Sequence, residues 1–429
     1  MSESVLVPNV QHPVSEMAES LIGSEIIKLA AEINEKIRQG ERIYNYTIGD
    51  FDPKVFPIPN ELNSAIIKAY EDHHTNYPAA NGMADLRLSV AEFLKTKQGL
   101  TFSPDEILIS GGARPLIYAT YITLLNPGDS VIFPVPSWNN NHYCHLSRVN
   151  PIFVETKAEN NFMPSADDLR PHIKEATMIA LCSPLNPTGT VFNENQLTDI
   201  CDMILEENKR RGPNSKPLYL MYDQIYWVLT FGTTKHFDPV SLRPAMREYT
   251  IYIDGISKSL AATGVRVGWS FGPKPIIDKM RAILSHVGAW APKAEQVAVA
   301  EYLKDEKSVD QFLHQFKNKI NERLQGFYHG FIELKKAGYA VDAIAPQAAI
   351  YLTINFNLKG KKTSDGRTLS NQKDITQYIL DEAKLAVVPF SAFGSTDNSP
   401  WYRLSIGTCK MDEIPEVFNN LKKALSKLS

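Results

Sequence analysis

Lys258 stands in the run Ile256-Ser257-Lys258-Ser259-Leu260-Ala261-Ala262-Thr263-Gly264-Val265-Arg266-Val267-Gly268-Trp269, among small and apolar residues and eight positions before an arginine. Such surroundings disfavour an ammonium ion, and desolvation lowers a lysine pKa toward the range in which the neutral amine is a nucleophile. A neutral amine facing a carbonyl forms a Schiff base, and pyridoxal phosphate is the carbonyl cofactor that proteins hold in this way. Taken alone, the lysine is equally consistent with a structural role.

Further segments offer chemistry that would complement such an amine. Gly111-Gly112-Ala113-Arg114 falls between a strand-like run and a helix. A turn there aims main-chain N–H groups and a helix dipole at an anion, or is a plain tight turn. Asp223 directly follows the apolar run Leu218-Tyr219-Leu220-Met221-Tyr222. A carboxylate at a buried strand end requires a cationic partner, unless it caps a helix. Arg403 lies inside Trp401-Tyr402-Arg403-Leu404-Ser405-Ile406. Its planar fork suits a carboxylate held at two points, an intramolecular ion pair being the alternative. Ser183-Pro184-Leu185-Asn186-Pro187-Thr188-Gly189-Thr190 is a turn on its prolines, asparagine and glycine. Trp138, in Pro136-Ser137-Trp138, has an indole face for stacking on a ring or for filling a core.

Ser-Lys followed by Gly-x-Arg-x-Gly-Trp resembles the signature of the class I/II aminotransferases, fold-type-I enzymes that use pyridoxal phosphate. The other segments match the same family, in an aspartate-aminotransferase-like form, from about residue 24 to the C-terminus. The resemblance implies that Lys258 takes the cofactor aldehyde, Asp223 the ring nitrogen, and Asn186 and Tyr226 the phenolic oxygen. It gives Trp138 the ring face, and gives the phosphate to Arg266 and the backbone of Gly112, Ala113 and Arg114. Lys258, Asp223 and Tyr226 are then the catalytic set. Arg403, with Asn186, would hold the substrate α-carboxylate, and Gly49, in Ile48-Gly49-Asp50-Phe51, belongs to the loop closing over substrate. Tyr77, in Asn76-Tyr77-Pro78, matches a tyrosine that crosses a homodimer interface to the other subunit's phosphate. One position departs from the pattern: Gly255 replaces the usual serine three places before the lysine, and Ser257 or a water is expected to stand in.

The implied activity is ping-pong transfer of an amino group between an L-amino acid and a 2-oxo acid, with aspartate and glutamate as the favoured type. Members of that type need a cation for the distal carboxylate, and Arg114 and Lys293 are the candidates. An aromatic or broad-specificity aminotransferase is the alternative. So is a carbon–sulfur lyase or cyclopropane-forming synthase of the same fold, which would release products without an acceptor. A cofactor-sensing regulator would carry a basic DNA-binding domain, for which the short N-terminal arm leaves no room.

The elements that must position these residues alternate. Strand-like runs at 106–110, 130–134, 151–156, 178–182, 218–222 and 249–254 are separated by helical periodicity, notably at 83–94 and 194–210. That order predicts an α/β protein whose central sheet is mostly parallel and covered on both faces, with ligands at the strands' carboxyl ends. A helix over 24–39, a strand over 44–48 and a long helix over 309–336 lead to a smaller α+β domain. The expected division is an arm over 1–23, small-domain residues 24–58, a large cofactor-binding domain over 59–305, and the rest of the small domain over 306–429. With 43% apolar and 22% charged residues and a net charge of −3, nothing favours nucleic acid or an anionic membrane. No apolar run is long enough to span a bilayer. Cys144, Cys182, Cys201 and Cys409 are far apart and form no CxxC pair, which predicts free thiols in a reducing cytoplasm. The ten histidines, including His73-His74, His142 and His145, show no ligand spacing, so no metal is expected.

Overall fold

A computed structural model describes residues 14–21 and 25–429. Along the chain, β1 (Tyr44–Asn45) precedes seven strands of a central sheet: β2 (Ile107–Ser110), β3 (Ser130–Val135), β4 (Asn150–Glu155), β5 (Ala176–Cys182), β6 (Tyr219–Asp223), β7 (Thr250–Gly255) and β8 (Gly268–Phe271). Their spatial order is β2-β8-β7-β6-β5-β3-β4. Every pairing is parallel except those of β8, which runs against both β2 and β7.

The strands are apolar on both sides, and each side is covered. In β5, Met178 and Ala180 join one buried cluster while Ile179 and Leu181 join the other. The period of two sends alternate residues to opposite faces, so both faces need a helical layer. Helices Ala113–Leu124 and Lys274–Val287 supply one, through Leu116, Tyr121, Met280 and Leu284. Helices Ala84–Gln98, Glu194–Arg211 and Lys293–Lys304 cover the other.

After the central sheet comes the helix Glu306–Lys336, whose start is capped by Asp305 accepting the Ser308 N–H at 3.1 Å. The chain continues into β9 (Val341–Ala343), β10 (Tyr351–Phe356), β11 (Leu385–Ala386), β12 (Val388–Pro389) and β13 (Trp401–Ser405). Four of these form an antiparallel sheet in the order β12-β13-β10-β9. Strand β1 pairs in parallel with β11, and the Ser405 N–H donates to the Tyr46 carbonyl. Residues 44–49 are thereby laid beside Arg403 of β13.

Local structure departs from the sequence pattern in four places. The strand expected over 44–48 stops after Asn45, because the Asn45 Oδ1 accepts both the Thr47 N–H and its hydroxyl and turns the chain. The helix expected after Gly111-Gly112-Ala113-Arg114 already begins within that run, at Ala113. Strand β8, only Gly-Trp-Ser-Phe, is too short to show a period and was not anticipated. Ser15 caps a single helical turn, Glu16–Glu19, within the expected arm. Pro8, Pro13 and the helix start at Ser24 lie outside the described residues.

Strands β2, β5, β6 and β7 all end at one edge of the sheet, and β8 begins there. Gly255 pairs with Gly268, and a Cβ on Gly268 would lie 2.6 Å from the Gly112 carbonyl carbon. Three turns therefore converge more closely than side chains permit. Gly268→Ala is expected to cost about 1–3 kcal/mol through this overlap. Gly264→Ala, whose Cβ meets nothing within 4 Å, is expected to stay within about 0.5 kcal/mol of the parent. Thermal denaturation of the two variants checks both.

Candidate active site

A cavity of about 420 Å³ opens at the carboxyl edge of the central sheet and reaches β10 and β13. Its charged lining is Asp50, Arg114, Asp223, Lys258, Arg266 and Arg403, four cations against two carboxylates. Among the described residues none of the four cations is ion-paired. Main-chain carbonyls hold three of them instead.

Lys258 follows β7 in the single turn Ile256–Ser259, and its Nζ donates to the Gly49 carbonyl at 2.5 Å. Burial pushes its pKa down to about 8, and Arg403, Arg114 and Arg266 push the same way against Asp50. Asp50 is fixed by the Thr263 hydroxyl at 2.7 Å.

Asp223 is the last residue of β6, and its Oδ1 accepts the Ile225 N–H at 3.1 Å. No helix follows, so the carboxylate is not a helix cap. Burial raises its pKa to about 6. A second carboxylate, Asp254, is buried nearby and accepts the Trp227 indole N–H at 2.9 Å and the Gly255 N–H at 2.7 Å. It thus ties the turn after β6, which carries Tyr226, to the turn after β7, which carries Lys258.

Arg403 is fully buried and has no carboxylate partner, which removes the ion-pair alternative. Its Nη1 donates to the Asn186 Oδ1 at 3.0 Å and its Nη2 to the Thr47 carbonyl at 2.5 Å, while Nε has no partner. Since Asn186 accepts through its oxygen, its NH2 remains a donor. Burial lowers the Arg403 pKa.

Arg266 adopts a left-handed backbone with φ of 59° and donates to the carbonyls of Thr263 and Gly111 at 2.6 and 2.8 Å. A Cβ on Gly112 would fall 2.1 Å from the Arg266 Nη2, so only glycine fits there. The Gly112 N–H already donates to the Ser110 carbonyl, leaving those of Ala113 and Arg114 at the open start of their helix. The Arg114 guanidinium lies 5.3 Å over the ring of Trp138, which is half-buried on the cavity wall rather than in the core. Ser257 also lines the cavity.

Two expected residues lie elsewhere in this chain. Tyr77 is 81% exposed and packs edge-on against Trp290, and Lys293 bonds the Asn76 side chain. Neither lines the cavity. The serine usual at position 255 is excluded physically: a Cβ there would lie 2.7 Å from the Gly268 Cα. Sequence reasoning missed Tyr351, Asp50 and Thr47. Thr47 acts through its carbonyl, and Tyr351 reads as an ordinary aromatic in an apolar strand.

Residues 49–421 match the family model for aminotransferase class I and II. The chain belongs to the class I and II aminotransferases. The aspartate aminotransferase of Bacillus subtilis is 29% identical over 96% of this aminotransferase and 98% of its own length. A probable aspartate/prephenate aminotransferase of Rickettsia felis is 30% identical over 87% and 88%. The solved aspartate aminotransferase of Rhizobium meliloti superimposes with a TM-score of 0.88 at 25% identity, over 97% of this chain and all of that one. The fold is thus that of the fold-type-I enzymes, and the protein transfers amino groups. The family works with pyridoxal phosphate. No helix of the described residues is long and apolar enough to cross a membrane.

The environment of Lys258 gives a direct expectation for the cofactor-free aminotransferase. An amine-selective reagent should label Lys258 with a midpoint near pH 8, some two units below ordinary lysines. Peptide mapping across a pH series measures it.

Proposed function

We propose that this aminotransferase binds pyridoxal phosphate in the described cavity and moves the amino group of aspartate or glutamate to a 2-oxo acid. The observation that carries the reading is the set of cations without ion-pair partners around the half-buried Asp223 carboxylate, which has no cationic partner. Arg266 and the helix start at Ala113 offer an anion site suited to phosphate. The Gly112–Gly268 approach seats the turn after β2 against the start of β8 and lets the Arg266 guanidinium lie against Gly112. Asp223, held toward its neutral form by burial, is relieved by a cationic ring nitrogen. The residues present therefore fit the cofactor.

When bound, pyridoxal phosphate supplies a carbonyl for amine capture and an electron sink for charge developing at the substrate Cα. The chain supplies the rest. Lys258 would hold the carbonyl and, once free, would be the base that takes and moves the Cα proton, a task suited to an amine with a pKa near 8. Asp223 would keep the ring nitrogen protonated, and the Asn186 amide and Tyr226 hydroxyl would donate to the phenolic oxygen. Trp138, on the cavity wall, would cover the ring face. Arg403 offers its unpartnered Nε and remaining N–H groups to the substrate α-carboxylate. Gly49, whose carbonyl accepts from Lys258, sits in the loop beside that carboxylate.

Of the two candidates for a distal carboxylate, Arg114 is favoured because it lines the cavity and Lys293 does not. Tyr77, exposed beside Trp290, fits a role in a second copy's site, so the working unit is read as a homodimer with shared sites. The four free cysteines suit a cytoplasmic location.

The test is the absorption of the purified holoprotein as single L-amino acids are added without acceptor. Aspartate or glutamate should convert the lysine-bound cofactor band to the amine form, and Lys258→Ala should abolish turnover. If no common amino acid converts the band, the transamination reading fails. Arg114→Ala should raise KM for aspartate and glutamate about 10–100-fold, the scale of a charge-assisted bond, while sparing uncharged donors. Equal losses for all donors would assign Arg114 elsewhere.

A further inference from the structure

Tyr351, the first residue of β10, is buried, yet it lines the cavity and touches several working parts of it. Its hydroxyl oxygen lies 2.6 Å from that of Tyr226, with the rings edge to face at 5.6 Å and 72°. The Arg403 guanidinium stands over its ring, 4.8 Å from the centre. A Cβ on Gly49 would come within 2.8 Å of its hydroxyl, so Tyr351 is also what requires glycine in that loop.

Between two hydroxyls one donates and the other accepts. Tyr226 has a single proton, and if that proton is aimed at a ligand, the bond with Tyr351 must be one that Tyr226 accepts. The surroundings favour that direction. Arg403, Tyr226, Cys182 and Asp50 face Tyr351, and after burial the Arg403 charge is the largest influence, one that makes its hydroxyl a better donor. Burial pushes Tyr226 well up and Tyr351 pushes it further, while Arg403 pulls it down as a lesser influence than it is on Tyr351.

We infer that Tyr351 is a positioning residue for transamination: it donates its hydroxyl proton to the Tyr226 oxygen, which directs the Tyr226 proton into the cavity, and its ring supports the Arg403 guanidinium. One aromatic side chain thereby couples the donor to the cofactor with the clamp on the substrate. The inference rests on the reading above that the cofactor's phenolic oxygen is bound near Tyr226.

Its test is a pH titration of the holoprotein's visible absorption in wild type, Tyr351→Phe, Tyr226→Phe and the double variant. The groups facing Lys258 (Asp50, Arg403, Arg114 and Arg266) are the same in all four. Each lost donor should favour the protonated form at the cofactor linkage and raise the midpoint. Tyr226→Phe is expected to raise it by about one pH unit and Tyr351→Phe by about half a unit, the scale of one neutral hydrogen bond. The double variant should match Tyr226→Phe alone, because Tyr351 acts through Tyr226. In steady state, Tyr351→Phe should lower kcat about 3–10-fold with KM unchanged, since the ring under Arg403 remains. Tyr351→Leu should raise KM as well; if it does not fold, the Phe titration still decides. An unmoved midpoint in Tyr351→Phe beside a shifted Tyr226→Phe overturns the inference alone, as do additive shifts. A wild-type protein with no visible band and no borohydride-fixed adduct on Lys258 overturns the cofactor reading, and this inference with it.

Discussion

Arg403, Arg266 and Lys258 each carry a positive charge to the wall of one cavity and rest it on main-chain carbonyls rather than on carboxylates. Removing a charge from water costs several kcal/mol, and a carbonyl dipole offsets only part of it. The fold bears this cost because the carbonyls are held in place, most of them by elements remote in sequence from the cation they meet. Thr47 and Gly49 come from the segment beside β1, Thr263 from the loop before β8, and Gly111 from the turn after β2. A site left short of negative charge in this way has a standing affinity for anions. An anion that binds the folded chain alone stabilises it by mass action, so ligand binding and folding are coupled here.

Holding those carbonyls in place requires backbone approaches that side chains would prevent. Gly112, Gly255 and Gly268 meet where β2, β7 and β8 begin or end, and each would place a Cβ within 2.7 Å of a neighbour. Asp254 adds a polar tie behind them through the Gly255 N–H and the Trp227 indole. The departure at Gly255 from the family's usual serine is therefore part of a glycine-to-glycine strand pairing and is matched by Gly268 across the ladder.

Much of this was legible in the sequence because it is local. The alternation of apolar strands with amphipathic helices gave the covered parallel sheet, and residues at strand ends, namely Asp223, the Gly111-Gly112 turn and the Lys258 turn, marked the ligand edge. Arg403 stood out as a charge inside an apolar run. Strand β8 escaped notice because four residues show no period. Tyr351 escaped because nothing local distinguishes a tyrosine with a buried partner from one that only packs. Thr47 works through its carbonyl, which every residue has.

By itself the sequence determined the layer architecture, the lysine and aspartate poised at strand ends, and the family to which they belong. Short-range pattern and residue chemistry carry that information within one turn or one strand. The tertiary structure alone decided that Arg403 meets Asn186, that Tyr226 meets Tyr351, that Trp138 faces the cavity rather than the core, and that Tyr77 lies outside its own chain's cavity. Those pairings join segments more than a hundred residues apart. They depend on strand register and on which backbone atoms already have partners, and neither is written in the spacing of residues along the chain.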